Sequence, residues 1–232
     1  MISLKMARRK MMVSDIPDFK EALEQANKLL IYDGLIDDFP FRPKQVISSC
    51  SPIACCSYDK AINKYNLSPQ DLGSKSALTS WKLGRKIIFY NSHEEKSRGT
   101  WSLIHELGHD KLGHPLNSEQ YPNKEIEAHF FAAQLLMPEQ LIHEIERRGV
   151  NITVQLLQGC FGVSKEAAEK RIQTLNKINW SWRSDEEKWF DDCIIQKFDA
   201  FLNKVKPIQK YDTDTTLELE QDRSSWVLER SD

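Results

Sequence analysis

The chain has 232 residues, 40% hydrophobic and 28% charged, with a formal net charge of −2. That suits one substantial globular domain, with or without a small appendage, and excludes a bulk electrostatic claim on nucleic acid. With no apolar run long enough for a transmembrane helix and no signal-peptide pattern, we expect a cytoplasmic protein.

Residues 1–13 are rich in Met and basic side chains and read as a frayed terminus. Asp15-Ile16-Pro17 opens a helix with an apolar stripe of Phe19, Leu23, Ala26, Leu29 and Leu30, closed by Gly34. Pro40 and Pro43 break the chain, and Val46-Ile47 begins a short helix or strand. The five cysteines, Cys50, Cys55 and Cys56 among them, follow no disulfide or metal spacing and read as reduced thiols. The spacing from Tyr58 to Tyr65 favours a helix. Residues 77–83 and 85–90 read as two strands beside Gly84. An extended peptide could add to the second of these strands, edge to edge. Ser92 with Glu95 has the pattern of a capping box for the helix that follows.

That helix carries His105-Glu106-Leu107-Gly108-His109, with Trp101, Ile104 and Leu112 on its buried side. Residues four apart on a helix share a face, about 5.4 Å from each other, so both imidazoles can reach one metal ion. Glu106 points to the adjacent side, where a carboxylate can take a proton from water. A catalytic zinc site needs a third protein ligand. One arrangement would need glycine at 112 and histidine at 115, where the chain has Leu112 and Pro115. Gly113 and His114 are out of step by one residue, about 100° of helix rotation, so His114 reads as a surface or supporting residue. The other arrangement takes a glutamate from a second helix. After a turn at Tyr121-Pro122-Asn123-Lys124, residues 125–136 read as that helix, closed by Met137-Pro138. Glu125 is the favoured ligand and Glu127, about 160–200° round the helix, its rival. Ala128, Ala132 and Gly108 are small enough to let the two helices approach closely. His129, one turn after Glu125, is a candidate to hydrogen-bond a ligand or stabilise an oxyanion; Tyr90, His114 and Tyr121 are further oxyanion candidates.

Beyond Pro138 we expect helices over 141–148, stopped at Gly149, then over 152–158 and 164–175, with Ser164 as N-cap and a turn at 159–163. The last two have helix–turn–helix spacing. Lys165, Lys170 and Arg171 alternate there with Glu166 and Glu169, however, so a packing or docking hairpin is expected and direct DNA binding is not. Trp180-Ser181-Trp182 links to an amphipathic helix over 185–205, its stripe formed by Trp189, Phe190, Cys193, Ile194, Phe198, Phe201, Leu202 and Val205. Residues 206–232 form an acidic tail, read as flexible. The fold class is α+β and mostly helical, with a small β-sheet and additional C-terminal helices; the oligomeric state is left open.

Ile87-Ile88-Phe89-Tyr90-Asn91, then the His105–His109 motif, then Glu125-x-Glu127-Ala128-His129-x-Phe131-Ala132-Ala133-x-Leu135-Leu136-Met137-Pro138, together resemble the ImmA/IrrE family of zinc metallopeptidases. The likeness is strongest over 84–140 and extends more loosely through Phe161-Gly162-Val163-Ser164 and Arg171. It implies a zincin-like metallopeptidase domain, which we place at 14–140, ahead of the helical region at 141–205 and the tail at 206–232 read above. It further implies Zn2+ held by His105, His109 and Glu125, with Glu106 catalytic. Two positions depart from the family: His129 stands where Asn is usual, and Ile104 where a small residue is usual. Members of the family act in bacteria and their mobile elements, often by cleaving or inactivating a helix-turn-helix repressor. The expected function is such an endopeptidase, derepressing prophage, mobile-element or stress-response genes. The alternative is a non-proteolytic zinc-containing regulator that binds a repressor or a toxin-like partner.

Overall fold

A computed structural model describes residues 16–65, 67, 68, 76–82, 84–116 and 121–205. The terminal segments read above as a frayed arm and an acidic tail lie outside these residues. In chain order the elements are α1 (Phe19–Tyr32), α2 (Pro43–Cys50), β1 (Ala54–Ser57), α3 (Tyr58–Tyr65), β2 (Ala77–Lys82), β3 (Arg85–Tyr90), α4 (Lys96–Lys111), α5 (Pro122–Leu136), α6 (Glu139–Arg147), α7 (Val154–Phe161), α8 (Lys165–Leu175), a 3-10 turn (Trp180–Trp182), α9 (Asp185–Lys197) and α10 (Asp199–Leu202). This is the α+β, mostly helical architecture expected from the sequence.

Three strands form one sheet in the order β1-β3-β2, with β1 parallel and β2 antiparallel to β3. Ile88 of β3 sits opposite Cys55 on one side and Thr79 on the other. Because β3 is central, its backbone is already paired on both sides. The expectation that a peptide could add to β3 is therefore corrected: among the described residues, the unpaired edge nearest the metal motif belongs to β2. The strand β1 was not anticipated, since four residues of Ala-Cys-Cys-Ser show no alternating pattern.

Helix α4 begins at Lys96, with Glu95 as an N-cap that makes no side-chain cap bond. Ser92 donates instead to Asp59 (2.8 Å), so the expected capping box is not formed. Its buried face is Leu103, Ile104, Leu107, Gly108 and His109. Trp101 and Leu112 are only half-buried. Helices α4 and α5 pack closely because Gly108 has no side chain: a Cβ there would lie 2.9 Å from Phe131 Cδ1 and 3.3 Å from the Ala128 carbonyl oxygen.

Helix α1 is capped by Asp18, whose carboxylate accepts the Glu21 N–H (3.0 Å), and packs on α5 through Ala22, Ala26 and Leu30. Where the two helices meet, the fully buried Gln134 of α5 donates to Asn27 of α1 (2.7 Å) and to Gln140 (2.9 Å), while its oxygen accepts from Arg171 of α8. Arg171 also donates to the Met137 carbonyl (2.9 Å). Burial lowers the Arg171 guanidinium to about 10, against the raising influence of nearby Glu139. Hydrophobic packing continues from Ala22 through the sheet and α4–α5 to Phe201 and Leu202 in a single cluster. The long C-terminal helix expected over 185–205 breaks at Phe198 into α9 and α10. Among the described residues, no helix is long and apolar enough to cross a membrane.

Candidate metal centre

Helical periodicity puts His105 and His109 on one side of α4, and the first turn of α5 brings Glu125 against them. His105 Nε2 and His109 Nε2 are 2.9 Å apart. Glu125 Oε2 is 3.2 Å from His105 Nε2, and Oε1 is 3.4 Å from His109 Nε2. Two nitrogens and a carboxylate converging on one point match the donor chemistry of a zinc-type site. Burial first, and the neighbouring His105 second, lower His109 to about 4, so its imidazole is neutral near pH 7 and has a lone pair to offer.

His129, the next turn of α5, stands beside them. Its ring centroid is 4.3 Å from that of His105. His105, Glu125 and His129 can each offer a donor atom within 4.8 Å of the others. Trp101 Nε1–H points at His129 Nδ1 (3.4 Å), so a neutral His129 carries its proton on Nε2. Partial desolvation, then the neighbouring His105, lower this imidazole also to about 4, although one side of the ring stays exposed to solvent. Glu106 lies on the adjacent side of α4 and accepts a hydrogen bond from Thr79 Oγ1 of β2 (2.6 Å).

The rival glutamate, Glu127, is turned away and buried. It accepts from Lys124 Nζ (3.1 and 2.8 Å), from the Asp18 N–H (2.9 Å) and from His114 Nε2 (2.8 Å). Burial alone would raise its carboxyl, but the Lys124, Asp18 and His114 bonds outweigh it and the net shift is downward. His114, read from sequence as a surface or supporting residue, is buried, and its Nδ1 is 2.9 Å from His109 Nδ1. The fold returns it there through the end of α4. Gly113 takes a left-handed φ of 65°, and the His114 N–H closes on the His109 carbonyl (2.8 Å). That is a Schellman ending, which carries the residue after the glycine back beneath the last turn. The sequence signal that could have found it is a glycine just past the helix followed at once by a histidine. Of the other oxyanion candidates named in advance, Tyr90 ends β3 and its hydroxyl accepts from Lys44 of α2 (3.1 Å), while Tyr121 is the N-cap residue of α5.

A helix presenting two histidines and a glutamate, crossed by a second helix with a convergent carboxylate and flanked by a small sheet, defines a metallopeptidase-type domain of zincin-like architecture. The model of the Peptidase_M78 family, described as the IrrE N-terminal-like domain, matches residues 62–173, a span that holds both the motif helix and α5. No curated protein matches the chain.

Proposed function

We propose that the protein is a zinc-dependent endopeptidase whose ion is held by His105, His109 and Glu125. The observation that carries this reading is the convergence of His105 Nε2, His109 Nε2 and both Glu125 oxygens. Zinc bound there would supply Lewis acidity and bring the pKa of a water toward about 7. Glu106 takes the proton of the attacking water and delivers it to the leaving amine, with Thr79 holding the carboxylate in orientation. His129, with its proton on Nε2, is the donor best suited to the developing oxyanion. An extended substrate would pair along β2, which among the described residues is an edge strand and also supplies Thr79.

The substrate we infer from the family is a helix-turn-helix repressor, and the outcome derepression of prophage, mobile-element or stress-response genes. The exposed charges of α8 pair with one another, Lys170 with Glu166 at 2.7 Å and Lys165 with Glu169 at 3.7 Å, which supports a packing or docking role over direct DNA binding. The test is incubation of the purified chain with the repressor encoded beside its gene. Wild type should cleave it. Glu106→Gln should retain the metal and lose cleavage by roughly 10²–10⁴-fold, since an amide cannot accept the proton.

One observation favours a second reading. Structural zinc sites are closed by four protein ligands, whereas catalytic ones keep a position for water. His129 is close enough to His105 and Glu125 to serve as a fourth ligand. In that case the site is structural and the protein acts by binding a repressor or toxin-like partner, and Glu106→Gln would switch on the target gene in cells as strongly as wild type.

A further inference from the structure

We propose that His114 and Glu127 are positioning residues that lock His109 in the tautomer whose bare Nε2 faces the metal centre. The proposal rests on the reading of His109 as a metal ligand. It concerns residues that the five-residue motif does not contain.

The argument is a count of protons along one chain of hydrogen bonds. Glu127 is acceptor-only as a carboxylate, and its ionised form is held by Lys124 and the Asp18 N–H. At 2.8 Å from that carboxylate, His114 Nε2 must carry a proton, because two lone pairs facing each other in a buried site would repel. The side chains of His114 and Glu127 are 1% and 3% exposed, so water does not offer an alternative partner. With its proton on Nε2, a neutral His114 presents a lone pair at Nδ1. His109 Nδ1, 2.9 Å away, then donates. Its own proton is thereby kept on Nδ1, and Nε2, the atom 2.9 Å from His105 Nε2, is left bare for an ion. Protonating both nitrogens of His114 would reverse the second bond and push the His109 proton onto Nε2, blocking ligation. One arrangement alone satisfies both hydrogen bonds and leaves the ligand atom available.

Three separate pieces of chain build this relay. The Schellman ending at Gly113 delivers His114, the first turns of α5 deliver Glu127 and Lys124, and the backbone just before α1 supplies the Asp18 N–H. His105 has no equivalent: its Nδ1 is buried without a hydrogen-bond partner among the described residues. Of the two imidazoles, His109 is therefore the pre-oriented one. Partners that orient metal-binding histidines in this way are typically worth about 10–100-fold in metal affinity.

The experiment measures zinc affinity of the full chain by competition with a chromophoric chelator, for wild type, His114→Phe, Glu127→Met and His109→Ala. It also records nitrogen-15 correlation spectra of the zinc-loaded wild type and of metal-free His114→Phe. The expected result is zinc binding about 10–100-fold weaker in both His114→Phe and Glu127→Met. In the wild-type spectrum His114 is protonated on Nε2 and bare on Nδ1, and in His114→Phe the His109 proton moves onto Nε2. Folded variants that bind zinc as wild type does would overturn the proposal, as would a wild-type His114 protonated on Nδ1. Should His114→Phe not fold, Glu127→Met and the wild-type spectrum decide. Wild type that binds no zinc, or His109→Ala that binds it undiminished, instead removes the metal-ligand reading underneath.

Discussion

At the scale of single residues, α5 presents three side chains able to ligate a metal within five positions, and the fold sends them in different directions. Glu125 faces both motif histidines, Glu127 faces His114, and His129 faces His105 and Trp101. Zinc stoichiometry and affinity should follow that division. Glu125→Ala is expected to lose the ion, while His129→Ala is expected to retain about one zinc per chain if a site for water exists. Marked loss of zinc in His129→Ala, measured by metal analysis after dialysis, would identify His129 as a fourth ligand and the site as structural. The spacing of His105, Glu106 and His109 and the face shared by Glu125 and His129 were legible from helical periodicity alone. The burial of His114 against His109 was not, because periodicity extrapolates a helix onward, and Gly113 turns the chain out of that period one residue before His114.

At the scale of elements, the contact between α4 and α5 sets the distance between the motif histidines and Glu125. Its tolerance is small. In Gly108→Ala the new methyl would meet Phe131, which is fully buried and cannot move aside, and the backbone oxygen of Ala128. Overpacking of this kind costs about 1–3 kcal/mol, partly offset by the roughly 0.5–1 kcal/mol by which Ala exceeds Gly inside a helix. We expect net destabilisation in urea together with weaker zinc binding, because relief of the clash moves His109 away from Glu125. A variant as stable as wild type with unchanged zinc affinity would show that the helices can yield there at no cost. Small residues at this contact were readable in the sequence. Less readable were elements defined by distant partners. The strand β1 exists through parallel pairing with β3, more than thirty residues on, and its own four residues give no period. The break at Phe198 has neither glycine nor proline to announce it. Just before it, Lys197 reaches across to cap the Leu30, Ile31 and Asp33 carbonyls at the end of α1 (2.6, 3.3 and 2.8 Å).

At the scale of the whole molecule, α5 is fastened at both ends. Near its start Glu127 ties it to the entrance of α1 and to the end of α4; near its finish Gln134 ties it to Asn27, Gln140 and Arg171. Ties near both ends oppose fraying of this helix. Local openings of low free energy come from poorly anchored segments, and the best-anchored ones open only with the entire fold. The consequence concerns time. Backbone amides from Phe131 to Leu135 should exchange with deuterium at the rate of global unfolding, even though Glu125 on the same helix is open to solvent on one side. If they exchange far faster, α5 has a private opening mode. Should the ion be bound as inferred, it would leave through the side of its cage that Glu125 leaves open, while the walls of the cage stand still.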